Sequence, residues 1–142
     1  RLEPNVPSVV PREAYFSIDL RHPDNGVLTR LGDAIAACCE EHRGPCDVAV
    51  EEIANAPSLD FAPEVRNVIA QSAAALGTGY RDIYSAAGHD ARQLHYHCPS
   101  GMIFIPCREG ISHNEGEWAE PEHVAAGARV LANSLWVLAN DD

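Results

Sequence analysis

The stretch "MIFIPC", residues 102–107, is the most apolar run of this chain and decides how its second half is interpreted. Successive side chains of a strand point to opposite faces, and here both faces would be apolar. Strands of that kind are typical of a sheet that is buried between layers of helices. The run therefore predicts a central strand of an α/β domain.

Helical patterns stand on both sides of this strand. From Val65 to Leu76 the apolar residues recur at helical spacing, with Pro63 suited to the first turn and Gly77 to the C-cap. Pro121 is predicted to open a further helix. The apolar residues of that helix form one stripe: Val124, Ala128, Leu131, Leu135 and Leu138. The two helices are expected to pack against the strand.

The first part of the chain has a different pattern. "REAYFSIDLRH" (12–22) alternates between apolar and polar residues, which predicts a half-buried strand. A helix is predicted from Val27 to about His42, and "CDVAVEEI" (46–53) is predicted to form a second strand. The order strand–helix–strand, with one polar strand face, indicates a sheet that is covered by helices on one side only.

A boundary is expected within "ANAPSLDFAP" (54–63), which contains two prolines and no regular period. We therefore divide the chain into residues 1–60 and 61–142. The fold class expected for the whole is α/β, with an α+β portion followed by an α/β portion.

Charge and composition argue against binding to nucleic acid and against a membrane-spanning helix. The chain has 10 Lys and Arg against 21 Asp and Glu, a formal charge of −11, which would repel nucleic acid phosphates. No apolar run approaches the roughly 20 residues of a membrane helix.

The cysteines number five, an odd count, and form no C-x-x-C pair. This usage indicates a reducing, cytoplasmic setting with the thiols as small apolar groups.

Two glycine-containing loops each follow a predicted strand: "SAAGHDA" (85–91) and "REGISHNEGE" (108–117). In open α/β sheets, ligands bind beyond the carboxyl ends of the strands. His89 and His113 could therefore meet at one edge of the sheet. From the residues alone, an ordinary loop role is the favoured interpretation of each histidine. We interpret "HYHC" (95–98) as a partly exposed structural segment, because nothing acidic stands close to its two histidines.

Arg21 ends the first predicted strand on its polar face. The planar guanidinium can bind a carboxylate through two parallel hydrogen bonds. An ion pair with Asp19 or Asp24 is the alternative, and composition alone favours it because surface ion pairs are common. The chain has no G-x-S-x-G motif, phosphate loop or dinucleotide fingerprint.

Three stretches together resemble the amidase/hydantoinase/carbamoylase family: "PNVPSVVPREAYFSIDLRHPD" (4–24), "SAAGHDA", and the run from "PSGMIFIPC" through "GISHNEGE" to "LWVLA" (99–139). This family includes N-carbamoyl-L-amino-acid hydrolases, yeast-type β-ureidopropionase and allantoate amidohydrolases. It is similar to the aminoacylase and carboxypeptidase-like dimetal hydrolases. The resemblance implies a zinc-exopeptidase-like α/β catalytic domain that is interrupted by a lid or dimerisation domain. Residues 1–60 would be the second half of the lid, and residues 61–142 the C-terminal segment of the catalytic domain.

The resemblance also implies roles for individual residues. His113, in GISH, is expected to be a metal ligand, and Arg21, in DLR, to bind the substrate carboxylate. Gly88 and His89, in GHDA, are expected to contact the substrate near the reacting carbonyl, with His89 also acting in catalysis. Ser8 stands where the family usually has the second asparagine of P-N-x-x-N. A hydroxyl can still form hydrogen bonds there, but the paired donor and acceptor of an amide are lost.

The function implied by the resemblance is hydrolysis of N-carbamoyl-L-amino acids or related ureido acids by a homodimeric enzyme. A water activated by two divalent metal ions, zinc or manganese, would attack the carbonyl with help from a glutamate base. The other metal ligands and that base would lie outside this chain, so the chain alone is expected to be inactive. Two alternatives remain: an aminoacylase or dipeptidase-type hydrolase, and a free-standing, non-catalytic acidic dimerisation or interaction module.

Overall fold

The computed structural model describes residues 1–140 of the chain. It contains two compact units, Arg1–Ser58 and the part from Leu59 onwards. The division falls inside the proline-containing stretch 54–63. The assignment of the two parts to a lid and a catalytic domain stays a prediction.

The first unit begins with two short antiparallel strands, β1 (Leu2–Glu3) and β2 (Glu13–Ala14), with Leu2 opposite Ala14. The prediction of one strand over residues 12–22 is wrong beyond Ala14, because residues 15–22 form no strand. The strand predicted over 46–53 is also not formed. A strand needs a neighbour to take its backbone hydrogen bonds, and within residues 1–140 only β1 and β2 pair with each other.

Helix α1 (Asn25–Glu41) confirms the helix predicted from Val27 to about His42. The Asp24 carboxylate caps it by accepting a hydrogen bond from the Val27 N–H at 2.9 Å. The Asn25 side chain forms two hydrogen bonds with the backbone of Ser58. Its amide N–H donates to the Ser58 carbonyl at 2.9 Å, and its amide oxygen accepts from the Ser58 N–H at 2.7 Å. Within the described residues α1 contacts no other helix or strand, so the predicted sheet with this helix on one face is not formed.

The second unit contains the remaining helices, α2 (Pro63–Ala75), α3 (Asp90–His95) and α4 (Pro121–Ala139), and a single 3₁₀ turn at Arg108–Gly110. Helices α2 and α4, which were predicted to pack against the 102–107 strand, pack against each other. Their most buried residues are small: Ser72 and Ala73 on α2, and Val130 and Ser134 on α4. The Ser134 hydroxyl donates a hydrogen bond to the Val130 carbonyl at 2.8 Å, so this buried polar group is satisfied. Among residues 1–140, no helix has both the length and the apolar character needed to cross a membrane.

The apolar stripe predicted to be the buried face of α4 is largely exposed. Val124, Leu131 and Leu135 keep 50%, 50% and 57% of their surface accessible. The buried residues of α4 are instead Val130 and Ser134, and Gly127 faces Ile105 of the 102–107 segment. The distance between packed helices depends on the side chains at the contact, and small side chains allow a close approach. The larger residues therefore turn outwards.

The 102–107 segment lies against α4, and the preceding Gly101 lies against Val65 and Ile69 of α2, but the segment is not a strand of a sheet. A Cβ atom on Gly127 of α4 would stand 2.6 Å from Cγ2 of Ile105, so only glycine permits this contact. One face of the segment is covered in this way, whereas Phe104 on the other face is 46% exposed. The predicted burial on both faces is thus wrong for the described residues, because no second layer covers the Phe104 side.

Candidate functional site

The loop that carries His113 has an unusual backbone. Glu109, Gly110 and His113 all have positive φ angles, of 55°, 71° and 55°. Residues other than glycine seldom adopt this left-handed conformation, and it persists only where surrounding contacts enforce it. Such positions cluster at functional sites, so the conformation of His113 agrees with a functional role for this loop.

The Glu117 side chain supplies one of these contacts. One of its oxygens accepts a hydrogen bond from the His113 backbone N–H at 2.9 Å. The other faces the Cys107 thiol, with the sulfur at 3.7 Å. Asn114 closes the turn between His113 and Glu117. Its side-chain oxygen accepts a hydrogen bond from the Gly116 N–H at 2.8 Å, and its backbone carbonyl accepts one from the Glu117 N–H at 2.9 Å. The imidazole of His113 takes no part in these bonds, and His113 is exposed.

A second set of contacts joins the two ends of the same loop. Arg108 donates hydrogen bonds to the Glu120 carboxylate at 2.9 and 3.0 Å and lies over the Trp118 ring, 5.3 Å from its centre. The Arg108 N–H also donates to the Trp118 carbonyl at 2.7 Å. The hydrogen bonds from Arg108 lower the pKa of Glu120. Because Glu120 directly precedes α4, the loop is connected to that helix at its end and to the 102–107 segment at its start.

His89 lies at the N-cap of α3, in the other motif loop. Its Nε2 atom is 2.9 Å from the Ser85 hydroxyl oxygen, and its ring meets Phe104 edge-on, with ring centres 5.6 Å apart. A Cβ atom on the adjacent Gly88 would meet nothing within 4 Å, so there is open space beside the loop. His89 therefore stands against the exposed face of the 102–107 segment.

Both motif loops are attached to the 102–107 segment, through Phe104 for His89 and through Cys107 for the His113 loop. Two partners were missed from the sequence: Ser85, four residues before His89, and Glu117, four residues after His113. The only sequence signal for either is its place at the edge of the same motif, with a side chain able to form hydrogen bonds.

Arg21 and Ser8 lie in the first unit. The Arg21 guanidinium donates to the Asp19 carboxylate from Nε, at 3.1 Å, and from Nη2, at 2.6 Å. This is the ion pair considered from the sequence, and its hydrogen bonds lower the pKa of Asp19. Ser8 lies exposed in the turn that connects β1 and β2.

The described residues do not form a metal site by themselves. Within residues 1–140 there is no group of three or more His, Cys, Asp or Glu side chains that could hold a metal ion. A zinc site normally takes at least three protein ligands, so His113 can supply only part of one. The residues of this chain thus do not fit a complete two-metal centre.

The "HYHC" segment lies at a different place in the second unit. The His95 ring packs edge-on against Phe61, with centres 5.5 Å apart, and its Nδ1 has no hydrogen-bond partner. Residues 95–99 and the start of α2 border an open depression of about 460 Å³. Neither histidine of the segment has the co-ligands of a metal site within the described residues.

Comparison with known proteins identifies the family. Residues 3–136 match the peptidase family M20/M25/M40. The chain belongs to this family. The M20 chain is 32% identical over 136 residues to an N-carbamoyl-L-amino-acid amidohydrolase of Rhizobium meliloti, covering 93% of this chain and 32% of that protein. It is 29% identical over 142 residues to an allantoate amidohydrolase of Bacillus subtilis, covering 96% of this chain and 34% of that protein. It thus spans about a third of the length of these relatives.

A solved structure agrees with this assignment. An amidase of the hydantoinase/carbamoylase family from Burkholderia vietnamiensis matches with a TM-score of 0.67 and 37% identity, over 80% of this chain and 28% of that one. The family resemblance predicted from the sequence is therefore confirmed. The α/β fold class is confirmed with it, as part of an M20 fold, although the strands predicted within this chain are mostly unpaired.

Proposed function

We propose that this M20 chain is the C-terminal part of a metal-dependent amidohydrolase. Its reaction is cleavage of the carbamoyl C–N bond of N-carbamoyl-L-amino acids or related ureido acids. The observation that carries the proposal is the joint anchoring of the His89 and His113 loops on the 102–107 segment, in a chain whose relatives are named as amidohydrolases.

In this proposal His113 supplies one ligand to a centre of two divalent ions, zinc or manganese. Its exposed imidazole and enforced backbone suit that role. The remaining ligands and the general base come from parts of a longer protein, so this chain alone is inactive. The exposed Phe104 face of the 102–107 segment supports a longer protein, because an apolar face of this kind is normally covered.

Four residues are proposed to contact the substrate, namely Arg21, Ser8, Gly88 and His89. Arg21 binds its carboxylate, and the bonds to Asp19 support this role, because they show the guanidinium in the two-pronged geometry that a carboxylate needs. Gly88 leaves room for the substrate beside His89, and His89 donates a hydrogen bond to the oxygen on which negative charge develops. Ser8 contributes a hydroxyl to substrate binding.

We further propose a cytoplasmic homodimer that pairs through residues 1–60. The five cysteines are free thiols, which suits a reducing compartment. The substrate class and the alternatives are separated by a panel assayed with defined metals on a family-length protein that contains this chain. N-carbamoyl-L-amino acids should be the best substrates. Preference for N-acyl amino acids or dipeptides would favour the aminoacylase or dipeptidase alternative.

The alternative of a free-standing, acidic, non-catalytic module is tested by the intact mass of the native product. A mass of 15.4 kDa would support that module. A mass about three times larger would support the amidohydrolase, because this chain covers 32% of the Rhizobium relative.

The role of Arg21 is tested in the same family-length protein. Arg21→Ala should raise KM for carboxylate substrates roughly tenfold or more, since hydrogen bonds between charged groups are among the strongest in proteins. Arg21→Lys should restore only part of the affinity, because an ammonium lacks the planar fork. An uncharged amide analogue of the substrate should be affected little. Equal losses with both substrates would show that Arg21 acts only through its ion pair with Asp19.

A further inference from the structure

The loop that carries His113 is held at one specific acidic side chain. We propose that Glu117 is a positioning residue, which keeps His113 in its left-handed conformation and so aims the imidazole for metal binding. This inference rests on the proposed role of His113 as a metal ligand. It gives a role to Glu117, a residue of the quoted GISHNEGE stretch to which the resemblance assigns none.

The Glu117 side chain faces two groups of the same unit. Its carboxylate accepts the His113 backbone N–H at 2.9 Å, and its other oxygen faces the Cys107 thiol at the end of the 102–107 segment. One side chain therefore ties the strained residue to the part of the unit that packs on α2 and α4. A hydrogen bond from a neutral N–H to a carboxylate is stronger than one between neutral groups.

The direction of the imidazole depends on this bond. The Cα–Cβ direction of His113 follows from its backbone angles, and φ is +55°. If the N–H were released, the residue would return to the negative φ values that non-glycine residues prefer, and the ring would point elsewhere. Glu117 binds the backbone and not the ring, so it fixes the direction while the imidazole stays out of the contact. Metal ligands generally depend on such supporting bonds for their orientation.

The loop contains its own matched control. Glu115 is also exposed, carries the same charge and lies two residues from His113, but it does not bind the His113 N–H. Removal of either carboxylate changes the net charge equally. Only removal of Glu117 should release His113.

The first test is amide hydrogen exchange of this chain, followed by NMR. In Glu117→Ala the His113 amide should exchange roughly tenfold faster, the factor expected for loss of one hydrogen bond to a charged group. Glu117→Gln should restore part of the protection, because its amide oxygen can still accept. Glu115→Ala should leave the exchange unchanged. Equal exchange in Glu117→Ala and the parent, or an equal effect of Glu115→Ala, would overturn the proposal.

The second test is the metal content of the family-length protein after dialysis against zinc-free buffer. Glu117→Ala should lose zinc more readily than Glu115→Ala, and Glu117→Gln should lie between them. If His113→Ala loses zinc but Glu117→Ala retains it fully, the positioning role is wrong and the ligand role stands. If His113→Ala itself retains both ions, the proposed role of His113 fails, whatever the exchange rates show.

Discussion

Arg21 and Asp19 form a two-pronged ion pair on the surface of the first unit, with Nη2 of Arg21 2.6 Å from the Asp19 carboxylate. The residue proposed to bind a substrate carboxylate therefore holds a carboxylate of its own chain. Both side chains are more than half exposed, so water screens their attraction and a second carboxylate can exchange with the first.

The ion pair between Arg21 and Asp19 should lower the pKa that is measured for Asp19. The hydrogen bonds from Arg21 hold the pKa of Asp19 below its usual value, and Arg21→Ala should raise it towards that value. Because the folded-state pKa is lowered, the pair stabilises the fold above the unfolded-state pKa, and this contribution is lost as pH falls through the folded-state pKa. Carboxyl ¹³C shifts measure the pKa of Asp19, and urea unfolding at several pH values measures the contribution to stability. Asp24 is the control, since its pKa is lowered chiefly by the Val27 N–H and should not respond to Arg21→Ala.

Gly127 should be required for the packing of the second unit. Alanine is favoured over glycine in a helix by about 1 kcal/mol. A methyl group at Gly127, however, would stand 2.6 Å from Cγ2 of Ile105, and overpacking costs about 1–3 kcal/mol. We expect Gly127→Ala to lower the free energy of unfolding by roughly 1 kcal/mol in urea, followed by tryptophan fluorescence, because both tryptophans lie in this unit.

The matched control for Gly127 lies in α1. A methyl group at Gly32 would meet nothing within 4 Å, so Gly32→Ala should stabilise its helix by up to about 1 kcal/mol, measured by circular dichroism. A stabilised Gly127→Ala would mean that the 102–107 segment moves away from α4 at little cost.

Helices could be predicted from the sequence because their signals are local. Pro63 and Pro121 open α2 and α4 as predicted, and α1 forms over nearly the range predicted for it. Strands depend on a partner, and the alternation in residues 12–22 cannot show whether a neighbouring strand is present. The segment 102–107 likewise has the composition of a central strand, but only one of its faces is covered by other described residues.

The choice of buried face on α4 could not be predicted from periodicity. The stripe that contains Leu131 and Leu135 and the face that contains Gly127 and Val130 both recur at helical spacing. Hydrophobicity favours the first stripe, whereas close approach to α2 favours the second, and this depends on the shape of the partner. At the candidate site, resemblance proposes roles for the motif residues, whereas their hydrogen-bond partners depend on how each loop folds. Glu117 is an example, since it reaches His113 only because the intervening turn is closed by Asn114.

Ser85 should set the tautomer of His89. Its hydroxyl is 2.9 Å from Nε2, so the proton position on the imidazole is coupled to this bond. In Ser85→Ala the ¹⁵N shifts of the His89 ring should move and the tautomer ratio should change. Ser85→Thr, which keeps the hydroxyl, should restore the parent spectrum, and Ser17→Ala, at an exposed serine of the other unit, should have no effect. An unchanged His89 spectrum in Ser85→Ala would show that the bond is too weak to orient the ring.

Cys107 should be alkylated more slowly than Cys46. Burial raises the pKa of its thiol, and the nearby Glu117 charge raises it further, so little reactive thiolate forms. Peptide mapping after a pulse of iodoacetamide should show slower labelling of Cys107 than of the exposed Cys46. Glu117→Gln removes the charge and should speed labelling at Cys107 without changing Cys46. If the variant leaves Cys107 as slow as before, burial alone controls its reactivity.

Metal analysis tests whether the chain can hold a metal centre alone. His113 is the one residue proposed as a ligand, and within residues 1–140 no three potential ligand side chains stand together. A single exposed imidazole binds divalent ions too weakly to survive dialysis, because a stable zinc site needs three or four ligands. The chain, dialysed after incubation with zinc or manganese, should therefore retain neither ion in stoichiometric amount, and His113→Ala should behave identically. Two tightly bound ions per chain would contradict the proposal that this chain contributes only part of the site.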